Sequence, residues 1–138
     1  MNAYLDSSVI LRLVLGEPGK FTEWNRTELR ISSRLVEVEC LRSLDRLKLG
    51  RDLPENEVVI RREALFDLLD TVELFEISRP VLKRASEPFP VALGTLDAIH
   101  LATALLWNEE TGREIVMATH DKALGLASRS VGIKVLGI

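Results

Sequence analysis

Apolar positions alternate along the chain between short runs and stretches with helical spacing. Asn2 to Leu5 reads as a short strand closed by Asp6, and Val9, Ile10, Leu13 and Val14 then recur at helical intervals. Gly16, Pro18 and Gly19 break that pattern. A second strand, Leu29 to Ile31, leads through Ser32 and Ser33, either of which suits a helix cap, into a helix running to about Leu49. Glu55 to Asp70 reads as a helix with Val58, Val59, Ala64, Leu65, Leu68 and Leu69 on its apolar face, and Val72 to Ile77 as extended chain. Arg79 to Glu87 is a short amphipathic helix stopped by Pro88 and Pro90, and Thr95 suits the cap of a helix from Leu96 to about Asn108. Glu114 to Thr119 reads as a buried strand, Lys122 to Arg129 as a helix and Ile133 to Leu136 as a closing strand.

Strands alternating with helices predict an α/β fold, a three-layer α/β/α sandwich on a mainly parallel sheet. A length of 138 residues with 46% hydrophobic content fits one domain with one buried core, and neither a linker nor an internal repeat divides it. The first residues form no basic leader and no apolar run reaches the roughly 20 residues of a membrane span, so a cytoplasmic protein is expected. The single cysteine, Cys40, fits a reducing compartment and a buried apolar role. A net charge of −3 argues against a simple basic surface for nucleic acid, unless the acidity is local: setting aside four carboxylates at one site leaves +1.

Several acids fall where a parallel sheet gathers its loops, beyond the carboxyl ends of the strands. Asp6 follows the first strand, Asp121 lies just past the Glu114–Thr119 strand, and Asp97 occupies the first turn of a helix among apolar neighbours. Each alone is explained as a favourable charge at a helix start. Together they imply a cation, because clustered carboxylates repel one another unless positive charge lies between them. On the helix ending near Leu49, Glu37 and Glu39 flank the stripe Val36, Cys40, Leu44 and Leu47, and periodicity does not choose between them.

Four blocks resemble those of PIN-domain VapC toxins, in that family's order: Tyr4-Leu5-Asp6-Ser7-Ser8, Ser33 to Leu44, Leu96-Asp97-Ala98-Ile99-His100-Leu101-Ala102, and Ala118-Thr119-His120-Asp121. The likeness covers residues 4 to about 132 and implies a single PIN domain over 1–138. It makes Asp6, Glu39, Asp97 and Asp121 an acidic quartet around Mg2+, with Mn2+ as a substitute and Asp6 and Asp97 as direct ligands. The block spacing favours Glu39 over Glu37. Ser7 and Thr119 match positions beside the acids, where a hydroxyl orients a carboxylate or a water. His100 is expected to pack or make one hydrogen bond rather than act as a base, and two histidines without cysteine partners do not make a zinc site.

The resemblance further implies an endoribonuclease, leaving a 5′-phosphate and a 3′-hydroxyl, that acts as the toxin of a type II toxin–antitoxin pair. It implies a homodimer and a VapB-type antitoxin lying in the active-site groove. Arg42, Arg46 and Lys48 are candidates for RNA phosphate contacts, whereas Arg61, Arg62, Lys83 and Arg84 read as ordinary helix surface. Other classes fit less well. A phosphoacceptor domain has paired acids at the first strand end, where Asp6 is followed by two serines, and a dehalogenase-type phosphatase has a second aspartate where Ser8 stands. The alternative is a catalytically silent PIN-like module that binds RNA or a protein partner.

Overall fold

The computed structural model describes residues 1–17 and 21–138. Its centre is a five-stranded sheet in the order β3-β2-β1-β4-β5, comprising β1 (Asn2–Leu5), β2 (Leu29–Ser33), β3 (Glu73–Phe75), β4 (Val116–Ala118) and β5 (Lys134–Leu136). All four pairings are parallel, where the sequence suggested mainly so. The helices are α1 (Ser7–Leu15), α2 (Leu35–Leu49), α3 (Glu55–Leu69), α4 (Arg79–Ala85), α5 (Thr95–Thr111) and α6 (Lys122–Ser130), and a 3-10 turn at Thr22–Arg26 had no signal in the periodicity. No helix among the described residues is long and apolar enough to cross a membrane.

Alternation along β1 divides the core. Ala3 and Leu5 face one side and join Val9, Ile10, Val36, Cys40, Leu44 and Leu65 from α1, α2 and α3. Tyr4 points to the other and joins Ile31, Leu101, Leu105, Met117 and Leu124, the side held by α5 and α6. The central strand is thus buried on both faces, as a parallel sheet covered by helices requires, and its carboxyl end carries Asp6 into the protein.

Several local expectations change. Gly16 ends α1 in a left-handed turn (φ 67°) with its N–H on the last carbonyls; Pro18 and Gly19, the other expected breakers, lie outside the described residues. β2 runs on through both serines: Ser32 Oγ donates to the Leu5 carbonyl across the sheet (2.6 Å), and Ser33 Oγ accepts from Leu35 N (3.1 Å), so the entry to α2 rests on Ser33 from inside the strand. Thr95 does not cap α5 but is its first residue. Gly94 caps it with an extended backbone, its carbonyl accepting from Ala98 N at 2.9 Å. On α3 the buried stripe is Val58, Leu65 and Leu69, while Val59 is 53% exposed, because its place on the helix turns it from the stripe. The expected strands 72–77 and 114–119 shorten to the residues that pair with a neighbour.

Candidate active site

Asp6 sits at the N-cap of α1, where a carboxylate would ordinarily accept from the helix's first N–H groups, yet its side chain makes no cap bond. It turns instead across to the end of β4. Its Oδ2 accepts from Ser8 Oγ at 2.7 Å and from Thr119 Oγ1 at 2.8 Å. Each hydroxyl is fixed in turn by a backbone N–H, His120 N on Ser8 Oγ and Asp121 N on Thr119 Oγ1, both at 2.9 Å. Among the described residues Oδ1 has only longer neighbours, Ser7 Oγ at 3.5 Å and His100 Nε2 at 3.9 Å. Asp6 is 3% exposed, and one of its carboxylate oxygens takes two short O–H bonds while the other takes only the long one from Ser7.

The remaining acids approach from three helices. Asp97 lies in the first turn of α5, its pKa pushed up from 3.8 to about 6 by burial first and then by the charges of Asp121 and Asp6. Asp121 caps α6, with Oδ1 accepting from Leu124 N at 2.9 Å, and is otherwise exposed. Glu39 comes over from α2, and its Oε1 lies 2.5 Å from His100 Nε2. Glu37 is turned elsewhere, into a groove with Arg34, Phe66 and Asp70. Among the described residues no three His, Cys, Asp or Glu side chains form a ready-made metal cage. The gathered donors are carboxylate and hydroxyl oxygens, the set a hard divalent cation takes when it keeps several of its waters.

Three residues at the site lacked a reading in the sequence that matches their place here. Ser8, rather than Ser7, makes the short bond to Asp6; a hydroxyl two residues after a strand-end acid is the only local sign of it. Tyr4 and His100 are both fully buried, and Tyr4 Oη lies 2.6 Å from His100 Nδ1. His100 therefore makes two hydrogen bonds where one was expected, since a buried imidazole has two ring nitrogens to satisfy. Cys40 is buried on the other face of the sheet, with its thiol toward the Ser7 carbonyl, and burial, with the charges of Glu39 and Asp6, pushes that thiol up to about 12.

The basic candidates separate. Arg46 lies seven residues beyond Glu39, on the same stripe of α2 at about 100° per residue, and Arg42 lies one turn beyond Glu39, paired with Asp45 at 3.0 Å. Lys48, nine residues on, falls on the opposite side and reaches Glu55 at 3.4 Å, so the structure does not bring it to the acids. Arg61, expected as plain surface, donates to the Val14 carbonyl at the end of α1 (3.1 Å).

A profile of the PIN domain family matches residues 3–127. Ribonuclease VapC46 of Mycobacterium tuberculosis is 35% identical over 136 residues, covering 96% of this chain and 95% of the relative. Ribonuclease VapC47 from the same species is 32% identical over 130 residues, covering 94% and 91%. Among solved structures, VapBC2 from Rickettsia felis bound to a DNA fragment from its promoter aligns with a TM-score of 0.65 at 12% identity, over 99% of this chain and 98% of that one, a likeness of fold.

Proposed function

This chain belongs to the PIN-domain family, in its VapC group, and from that premise we propose that residues 1–138 act as one domain, a divalent-metal-dependent endoribonuclease serving as the toxin of a toxin–antitoxin pair. The observation that carries the reading is the Asp6 carboxylate, held at Oδ2 by Ser8 and Thr119 while Oδ1 receives, among the described residues, only the long 3.5 Å bond from Ser7. Two hydroxyls spent on one oxygen make sense where the other must stay in place for a ligand that is not a protein group.

Asp6 and Asp97 are the side chains that would hold the ion, Mg2+ or in its place Mn2+. The fit rests on their oxygen donors and on Asp97, held up first by burial and then by the charges of Asp121 and Asp6, which a bound cation would offset. Such an ion, when bound, supplies charge neutralisation at the phosphate and makes a nearby water more acidic. The chain's own groups do the rest. Ser8 and Thr119 keep the Asp6 carboxylate from rotating. Glu39 offers the carboxylate oxygen not bound to His100 as acceptor for the proton of the attacking water. Asp121, its Oδ1 tied to the start of α6, has Oδ2 left to orient water or substrate. Arg42 and Arg46 carry positive charge along α2 toward the RNA backbone. Water adds to phosphorus as its proton passes to Glu39, the bond to the 3′-oxygen breaks, that oxygen takes a proton from solvent, and a 5′-phosphate and a 3′-hydroxyl result.

A VapB-type antitoxin blocking the site and a homodimer complete the reading. The exposed apolar residues of α3, Val59, Ile60 and Phe66, supply surface for assembly. The deciding experiment treats a labelled total-RNA pool with antitoxin-free protein in Mg2+, Mn2+ or chelator, beside an Asp97→Asn control. Discrete fragments that need metal and are missing from the control support the nuclease. Intact RNA with a folded, metal-supplied protein turns the reading to a silent RNA- or partner-binding module.

A further inference from the structure

Resting on the nuclease reading above, we propose that His100 is a positioning residue: backed by Tyr4, it presents its Nε2–H to Glu39 Oε1 and so fixes the Glu39 carboxylate at the site. The three residues form one hydrogen-bonded chain through the layers, with Tyr4 on the central strand, His100 on α5 and Glu39 on α2, whose helix packs on the opposite face of the sheet from α5. Tyr4 and His100 are fully buried, with their rings edge to face at 72°. Without solvent, each polar atom of the pair must find its partner within the protein.

Counting protons gives the direction of the chain. A tyrosine hydroxyl carries its proton at neutral pH. The bond found for that proton among the described residues is the 2.6 Å contact with His100 Nδ1. Nε2 faces two carboxylates, Glu39 at 2.5 Å and Asp6 at 3.9 Å, and because ionised carboxylates only accept, the ring proton sits on Nε2 and goes to the nearer, Glu39, leaving Nδ1 of the neutral ring to accept from Tyr4.

A glutamate on a helix surface samples many rotamers, and holding one of its oxygens removes that freedom before substrate arrives. A merely structural role for the trio, filling space with satisfied polar groups, predicts no dependence on which polar group replaces the imidazole. The positioning role does predict one, because a glutamine at 100 can place an amide N–H near the position of Nε2.

The test compares His100→Gln, His100→Leu and Tyr4→Phe in the full chain. For His100→Leu, kcat on labelled RNA falls on the order of ten- to a hundredfold with KM little changed, and His100→Gln recovers most of it. Long-range 1H–15N spectra of the metal-free protein with labelled histidine, which read the protonated ring nitrogen without any cleavage, show Nε2 protonated and Nδ1 bare. In Tyr4→Phe the other tautomer gains population. Wild-type cleavage by His100→Leu, a folded His100→Gln as impaired as His100→Leu, or a proton on Nδ1 of the wild type overturns the proposal. Should His100→Leu not fold, His100→Gln against wild type and the two spectra decide it. If the wild-type protein itself cuts no RNA, the nuclease reading fails and takes this role with it; if it cuts and the variants match it, only the role fails.

Discussion

Asp6 stands at a helix start and leaves the helix uncapped, because two hydroxyls, 2 and 113 residues away in sequence, claim its Oδ2. Ser8 and Thr119 are equivalent in bonding, since each donates to Oδ2 and accepts one backbone N–H, but Thr119 is fully buried and Ser8 is not. Thr119→Val should therefore cost more stability, about 1–3 kcal/mol against roughly half that for Ser8→Ala, measured by urea unfolding, and both should slow RNA cleavage. Asp97 gives a pH dependence with a definite sign. Its folded pKa, about 6, lies above the ordinary 3.8, so the native state holds this proton more tightly and metal-free stability falls as pH rises from about 4 to about 6. Asp97→Asn should stabilise the metal-free protein by about 1–2 kcal/mol above pH 7, after discounting for partial exposure, and by almost nothing near pH 4. Thermal unfolding at the two pH values checks this, and equal shifts at both would refute it. The strand-end acids were legible because position alone marks them. Ser8 and His100 were not, because what distinguishes them is a partner brought in by the fold: Thr119 and the His120 N–H for one, Tyr4 and Glu39 for the other.

Among the elements, β1 and the helix cores followed directly from periodicity, since period-2 and period-3.6 patterns are written in neighbouring residues. Caps were less legible. Gly94 rather than Thr95 caps α5 because the backbone path there, not the side-chain preference, fixes the cap, and α5 is buried around most of its girth, so its pattern gave no inward face on which to place His100. At α6 the same residue has two tasks. Asp121 caps the helix through Oδ1 and adds charge to the site, and two substitutions separate these roles. Asp121→Asn retains a good cap and should unfold like wild type, whereas Asp121→Ala should lose about 1 kcal/mol; both lose the charge and should lower cleavage. The end of β5 is also tied to this edge. Gly137 has φ 105°, its carbonyl accepts from His120 Nδ1 at 2.8 Å, and a Cβ there would meet the Thr119 carbonyl oxygen, so the chain passes beside the site at a point open to glycine alone.

For the molecule as a whole, a net charge of −3 that becomes +1 without the quartet means that RNA affinity should depend on neutralising the site. Binding of a non-cleavable RNA, followed by fluorescence anisotropy, should strengthen on adding Ca2+ or Mg2+ and weaken with salt. Val59 and Phe66, seven residues apart on one stripe of α3, are exposed, and replacing both by Asp should leave the fold intact while lowering the mass found by light scattering if this face joins two copies. The three-layer architecture was legible from the order of elements, whereas which surface meets a partner was not, since exposure is a property of the assembled fold. The strand order carries a last consequence. β1 pairs on one side with β2, close behind it in the chain, and on the other with β4, more than 100 residues later. Asp6 and Glu39 are laid down early, Asp97 and Asp121 late, and Thr119 reaches Asp6 only once β4 has docked. On the nuclease reading proposed above, a ribosome making this protein holds an incomplete cutter through most of translation, because the site closes only when Thr119 and Asp121 have been made.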